Sequence, residues 1–117
     1  MKLQAAMLLG LAACSIPSAP ATRFSGTVVP TAPGPLCPAS HASLQIRDKV
    51  ILFAPDEGTW ILAGTLSPEN NLIADKSRVG PNNQAYETTF EGRLEQANIT
   101  GTYKTPRCTF NVTLTRR

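Results

Sequence analysis

The segment Cys108-Thr109-Phe110-Asn111-Val112-Thr113-Leu114-Thr115 alternates apolar and polar residues at every position. Successive side chains of an extended strand point to opposite faces, so this segment predicts a strand with one apolar face and one Thr-rich face. An amphipathic helix would instead repeat its apolar residues about every 3.6 positions. The segment therefore indicates a half-buried β-strand, and the rest of the chain is interpreted outward from it.

The same two-residue period recurs towards the N-terminus. Strong strands are expected at 86–94 and 59–66, and weaker ones at 23–29, 43–47, 50–54, 71–76 and 98–104. Pro, Gly, Asn and Asp residues separate these segments, as they do in β-turns. About eight short antiparallel strands with hairpin-length links predict an all-β domain. Its expected topology is a meander that closes as a small barrel or folds as a sandwich.

A five-residue motif, apolar-x-Gly-x-apolar, occurs four times in these strands, centred on Gly26, Gly64, Gly92 and Gly101. The strand period places each glycine on the apolar face between two large residues. Such glycines either allow the sharp coiling of a small barrel or leave room for a ligand inside it. We prefer the packing interpretation. The repeated pattern resembles small envelope barrels, including lipocalins and lipoprotein lysozyme inhibitors.

The N-terminus is typical of a secretory signal. Lys2 is followed by an uncharged, mostly apolar run that is too short to span a bilayer. The run ends Leu11-Ala12-Ala13-Cys14, which resembles the lipobox of bacterial lipoproteins. The resemblance implies a signal peptide at 1–13, a lipidated Cys14 with a flexible tether at 14–22, and a single all-β domain at 23–117. A signal peptide cleaved without lipidation is the alternative.

The residue after the cysteine bears on location. Lipoproteins of this kind that stay at the inner membrane carry Asp at that place, whereas this chain has Ser15. The resemblance therefore favours a lipid-anchored protein of the cell envelope, at the outer membrane and facing the periplasm.

Two of the three cysteines, Cys37 and Cys108, remain after lipidation of Cys14. In an oxidising compartment two thiols usually pair, and a disulfide closing a loop of about seventy residues would contribute roughly 4 kcal/mol by the chain-entropy model. Two free thiols or a redox site are the alternatives, although the chain has no Cys-x-x-Cys motif.

Charge argues against nucleic acid as a partner. The full chain has a net charge of +3, and loss of Lys2 with the signal peptide would leave about +2. The basic residues are scattered rather than gathered into a stripe.

Catalytic and metal-binding patterns are also missing from the sequence. The single histidine, His41, falls in a predicted Pro-rich loop, and no Gly-x-Ser-x-Gly motif accompanies it. Asp56 and Glu57 are adjacent in a predicted turn, where Asp is common because its side chain can hydrogen-bond to the backbone. We predict no metal site, no cofactor and no catalytic residue.

Three functions are considered. The leading hypothesis is a non-enzymatic envelope lipoprotein, attached to the membrane through Cys14, whose β domain binds a partner protein or an envelope component. The second is a carrier of a small apolar ligand inside the barrel. The third, ranked last, is an enzyme that uses His41. Ligand-binding residues are not identified, although the loops at 30–42 and 77–85 are long enough to recognise a partner.

Overall fold

A computed structural model describes residues 20–32, 34–56 and 60–117, which form a closed antiparallel barrel of eight strands. The strands follow one another around the barrel in chain order, and β8 closes it by pairing with β1. The all-β meander is thus confirmed, and the barrel replaces the sandwich alternative. The strands are β1 Thr22–Pro30, β2 Ser40–Arg47, β3 Val50–Ala54, β4 Leu62–Leu66, β5 Asn71–Val79, β6 Ala85–Glu95, β7 Asn98–Lys104 and β8 Thr109–Arg116.

The alternation that opened the sequence analysis determines which side chains fill the barrel. In β8, Phe110, Val112 and Leu114 are buried, whereas the intervening Asn and Thr side chains are exposed. The same rule holds in β7, where Ile99 and Tyr103 point inward. Each strand thus contributes its apolar face to one shared core and its polar face to solvent.

Aromatic rings occupy the axis of the barrel. Phe53 stacks on Phe90 with ring centroids 4.3 Å apart, Tyr103 meets Phe53 edge-on at 5.6 Å, and Phe110 stacks on Tyr103 at 5.4 Å. Aliphatic side chains from all the other strands surround this column. The interior around the column is therefore filled by side chains, as an eight-stranded barrel of this size permits.

The motif glycines lie where neighbouring strands approach closely. A Cβ atom added to Gly64 would collide with the backbone of Ile73 and Ala74, and one added to Gly26 would collide with the backbone of Thr113 and Leu114. At Gly92 the nearest atoms are Cζ of Phe90 at 2.8 Å and the carbonyl oxygen of Thr100 at 3.0 Å. These contacts support the packing interpretation, because there is no free space beside the glycines.

The two ends of the barrel differ. At one end, called the turn end, short turns at 48–49, 67–70 and 96–97 join the strands. At the other, called the mouth, longer links at 31–39, 55–61 and 80–84 and a short turn at 105–108 join them. The Cys37–Cys108 disulfide, whose Cα atoms are 5.9 Å apart, forms as expected and ties the first of these links to the start of β8.

Three expected strand boundaries were wrong. β2 begins at Ser40 rather than residue 43, because its pairing with β1 continues to Val28↔Ser40. β5 runs on to Val79 rather than ending at residue 76, because β6 pairs with it along its whole length. β4 begins at Leu62 rather than residue 59, and Trp60 lies outside the strand. Its indole packs beside the core at the mouth instead of joining the ladder.

Candidate binding site at the barrel mouth

A pocket of about 320 Å³ lies at the mouth. Val28, Tyr103 and Phe110 reach it from the core, and Leu36, Trp60 and the disulfide residue Cys108 are among its other apolar or aromatic lining residues. Leu36 is 72% exposed, so apolar surface is presented to solvent here. The volume is at the lower end of the roughly 300–1,000 Å³ range of small-ligand pockets.

The pocket is a continuation of the aromatic column. Tyr103 and Phe110, which line the pocket, are the last two rings in the series that begins with Phe90 and Phe53. Because the rings below are packed against one another, a ligand at the mouth would rest on this aromatic surface. It would not enter the core without displacing buried side chains.

The hairpin of β5 and β6 brings positive charge to the mouth. β4 pairs with β5 only as far as Asp75, and β7 pairs with β6 only from Thr89 onward, so the hairpin projects past its neighbours. Leu72 and Ala74 of β5 point into the barrel. Lys76 and Arg78 follow them at the same two-residue period and therefore share the inner face of the projecting hairpin.

Both cations approach the Trp60 indole. The guanidinium carbon of Arg78 lies 4.7 Å from the ring centroid, and Nζ of Lys76 lies 5.9 Å from it. These distances are within the range of cation–π attraction, which contributes about 0.5–1 kcal/mol at exposed sites. Trp60 thus has its face covered by two positive groups from a different hairpin, which joins the β3–β4 link to β5.

Tyr103 contributes a hydroxyl group to the mouth pocket. Burial raises the pKa of the Tyr103 phenol, the Asp56 carboxylate adds to the rise, and a hydrogen bond from the Trp60 side chain partly opposes it. The phenol therefore keeps its proton at neutral pH. It can offer an O–H donor or an oxygen acceptor at the base of the pocket.

The links that border the mouth are held by specific contacts. The Ser40 hydroxyl donates a hydrogen bond to the Pro55 carbonyl oxygen at 2.8 Å, which connects the start of β2 to the end of β3. The Thr105 hydroxyl accepts one from the backbone N–H of Cys108 at 3.0 Å, which tightens the β7–β8 turn. The backbone N–H of Thr31 donates to the Thr109 carbonyl oxygen at 2.9 Å. These contacts hold Pro55, Cys108 and Thr31 in place beside the mouth.

A second and larger groove, of about 810 Å³, lies along the outer faces of β1, β2 and β3. Arg23, His41, Gln45 and Arg117 are among its polar lining residues, and Leu52 and Ile61 are among its apolar ones. Most of these are outward-facing strand positions, for which the alternation of the strands already accounts. The mouth is the stronger candidate because inward-facing aromatic and charged groups converge there, and the alternation of the strands does not require charged groups on the inner face.

The residues singled out from the sequence have the following outcomes. His41 is exposed as expected, but the prediction that it lies in a loop was wrong, because it belongs to β2 and faces the outer groove. Asp56 lines the mouth, whereas Glu57 lies outside the described residues. Cys14, the signal peptide and the tether up to residue 19 also lie outside them.

Both candidate recognition loops require correction. The segment 30–42 is a link only at 31–39, since β1 ends at Pro30 and β2 begins at Ser40. The segment 77–85 is not a loop throughout, since β5 extends to Val79 and β6 starts at Ala85, with a short 3-10 turn at Pro81–Asn83 between them. Extending the inner-face period of Leu72 and Ala74 through Lys76 to Arg78 would have revealed the cationic hairpin. The contact of Arg78 with Trp60 had no sequence signal, because Trp60 lies in the β3–β4 link and is not paired with β5.

Neither a metal centre nor a spanning helix is found in the part of the chain that the structure describes. Within these residues, no three His, Cys, Asp or Glu side chains gather in a way that could hold a metal ion. Among the same residues, no helix is long and apolar enough to cross a membrane.

Comparison with known proteins gives no relative: no family model, no curated protein and no solved structure matches the chain.

Proposed function

We propose that this chain is a non-enzymatic lipoprotein of the cell envelope, anchored by a lipid on Cys14, whose barrel binds a partner protein or an envelope component at its mouth. The observation that supports binding at the mouth is the surface formed there by the exposed Leu36, the half-buried Trp60 ring and the exposed Arg78, set on a barrel whose axis is filled by stacked rings. Exposed apolar surface rimmed by polar groups commonly marks an interaction site.

The direction of β1 supports the same site. β1 starts at the turn end, where Thr22 pairs with Ile46, and finishes at the mouth, where Pro30 pairs with Phe110. A lipid on Cys14 would be joined to β1 by the seven residues 15–21, and the eight steps from Cys14 to Thr22 extend to at most about 29 Å. The anchor would therefore attach at the turn end, and the mouth would face away from the membrane, towards the periplasm at an outer membrane.

A carrier of a small apolar ligand is the second candidate. The apolar and aromatic lining of the mouth pocket, with Val28, Leu36 and Phe110, favours it. The packed aromatic column restricts such a ligand to the mouth, so the deep interior site of the original carrier hypothesis is not favoured. His41 has no catalytic role in either proposal, because it faces the outer groove rather than the mouth.

The anchor is tested by replacing Cys14 with Ser. The protein should then become soluble or remain unprocessed, because each acyl CH₂ contributes about 0.8 kcal/mol to membrane binding and the proposal includes no other anchor. The measurement is fractionation of envelope and soluble material, with signal-peptide cleavage followed by mass spectrometry. A processed Cys14→Ser protein that still sediments with membranes would contradict lipid anchoring.

Binding at the mouth is tested by site-specific photo-cross-linking in intact cells. A photoreactive residue at Leu36, which is exposed at the mouth, should give a discrete cross-linked product. The matched control carries the same residue at Glu69, which is exposed in the β4–β5 turn at the opposite end. Products of equal yield and size from both positions, or from the control alone, would exclude the mouth as the binding surface.

A further inference from the structure

We propose that the mouth selects an organic anion, or a partner group of that chemistry: a carboxylate or similar acid carried on a planar apolar body. Its acidic group would lie against Lys76 and Arg78, and its apolar body would rest on Trp60 and Leu36. The inference depends on the proposed function in taking the mouth as the binding site, and it adds the charge and shape of what binds there.

The first argument is the placement of the two cations. Lys76 and Arg78 are two residues apart on the same strand face, so both project from the hairpin towards the same indole. Two neighbouring positive charges on one strand face repel one another. An anion between them would remove that repulsion.

The second argument is the geometry of Arg78. A guanidinium that covers an aromatic face still has its N–H donors directed outward in its own plane. Arg78 is in this position over Trp60, at 4.7 Å from the ring centroid. Those donors match the two oxygens of a carboxylate, which arginine binds bidentately. The indole thus holds the guanidinium in place while leaving its hydrogen-bonding capacity available to a ligand.

The third argument is that the rest of the pocket suits an apolar body. Leu36, Pro38 and Phe110 supply apolar contacts beside the Trp60 ring, and the protonated Tyr103 hydroxyl can donate a hydrogen bond. Asp56 and Arg78 are the charged side chains among the described lining residues, and Lys76 adds a second cation beside Trp60. Over these described residues the surplus charge is positive, and the mouth should favour an anion over a neutral molecule of the same shape.

The test uses the single tryptophan of the chain as its reporter. The full chain, purified from the envelope in a nonionic detergent and labelled with ¹⁵N, has one indole N–H resonance. That resonance is followed during titration with 2-naphthoate and, separately, with naphthalene-2-carboxamide, which has the same shape without the charge. The acid should shift the resonance with a Kd at least about tenfold lower than that of the amide, corresponding to about 1.4 kcal/mol.

Charge variants test which residues cause the preference for the acid over the amide. Lys76→Gln and Arg78→Gln should each remove most of the tenfold difference in Kd between the acid and the amide. The matched control is Lys104→Gln, which deletes the same charge from an exposed position at the same end of the barrel but on the outer face of β7. It should retain the full preference. Equal affinity for acid and amide, tighter binding of the amide, or an equal loss in Lys104→Gln would overturn the inference.

The result is distinguishable from a failure of the proposed function. If Leu36 gives its specific cross-link in cells but the acid shows no preference over the amide, the mouth binds a partner and the anion inference is wrong. If neither ligand shifts the indole and Leu36 gives no specific product, the mouth is not a binding site at all. In that second case both proposals fall together.

Discussion

The turn end and the mouth are made from the ends of the same eight strands, yet they are closed by different means. At the turn end, backbone hydrogen bonds link each turn to the next strand: the N–H groups of Leu66, Leu94 and Arg116 donate to the carbonyl oxygens of Lys49, Asn70 and Ala97. At the mouth, a disulfide and side-chain contacts hold longer links. The difference shows that in a meander one end of the barrel can serve structure alone, while the side chains at the other end are free to form a binding site.

The turn end reverses the chain in short turns whose backbone groups are hydrogen-bonded. Four of its turn residues adopt positive φ: Asp48, Lys49, Asn70 and Gln96. Such turns leave little room for side-chain chemistry, because each residue is needed for the reversal. The mouth has longer links and therefore gathers Trp60, Leu36 and Arg78 around one pocket. The predictions that follow test this contrast, beginning with the largest expected effect.

The first prediction concerns the disulfide, which belongs to the mouth. The double variant Cys37→Ala/Cys108→Ala should lower the free energy of unfolding by about 4 kcal/mol, since the bond closes a loop with a sequence separation of 71 residues. The measurement is chemical denaturation of oxidised wild type and variant, with reduced wild type as the matched control. If reduction or the double substitution changes the unfolding midpoint only slightly, the mouth is held by its other contacts and the contrast between the ends weakens.

The second prediction tests whether the barrel between the two ends is filled. Gly64→Val should lower the free energy of unfolding by about 3 kcal/mol, the upper part of the usual overpacking range, because its Cβ would meet the backbone of Ile73 and Ala74. Gly92→Val should cost less, about 1–2 kcal/mol, because Cζ of Phe90 can move slightly away from it.

Denaturant midpoints of the two variants, compared under one set of conditions, check both the sign and the order. Unchanged or raised midpoints in both would mean that the glycines line a cavity. The mouth would then be the entrance to an interior site, and the carrier function would become the leading one.

The architecture could be predicted further than the site. Strict alternation in 108–115 and the four motif glycines were sufficient for an all-β meander with a packed interior, because side-chain period and strand packing are local properties of the sequence. The disulfide followed from counting cysteines. Closure between β1 and β8 could not be chosen over a sandwich, because pairing of the first and last strands depends on the coiling of all the strands between them.

The site was missed for a comparable reason. Trp60 and Arg78 are eighteen residues apart on segments that are not paired, and they meet only because the β5–β6 hairpin projects beyond β4. The length of that projection depends on where neighbouring strands stop, which the sequence period does not specify. His41 illustrates the opposite error: its neighbours suggested a loop, but pairing with β1 continued the strand through it.

The third prediction concerns the turn end and has the opposite sign. Asp48 and Lys49 have φ values of 52° and 68°, as the two central residues of a type I′ hairpin require. Lys49→Gly should therefore raise the free energy of unfolding by about 0.5–1 kcal/mol, since glycine adopts positive φ without the steric cost that lysine bears.

The matched control for that turn is Arg107→Gly at the mouth. Arg107 is exposed in the β7–β8 turn and is not among the residues with positive φ, so glycine there should lower stability by roughly 0.5–1 kcal/mol through the entropy of the unfolded chain. Thermal and denaturant unfolding of both variants measure whether the two stability changes have opposite signs. Shifts of the same sign would show that positive φ at Lys49 does not determine the effect of glycine there.

The last and smallest effect is the pH dependence that Tyr103 gives to the mouth. Its pKa is raised in the folded barrel, chiefly by burial and further by Asp56, from a value of about 10 in the unfolded chain. The folded state therefore holds this proton more tightly than the unfolded state. Its contribution to stability is complete below pH 10 and is lost as the pH rises through the folded pKa, because the unfolded chain ionises first.

Tyr103→Phe removes this contribution, so its stability should decline less steeply than that of wild type above about pH 10. The measurement is the slope of the denaturant midpoint against pH between neutral and alkaline conditions, which is insensitive to any constant loss caused by the missing hydrogen bond with Trp60. Tyr86→Phe, which leaves Tyr103 in place, is the matched control and should retain the wild-type slope. If Tyr103→Phe and wild type decline in parallel, the folded barrel does not raise the pKa of the Tyr103 phenol.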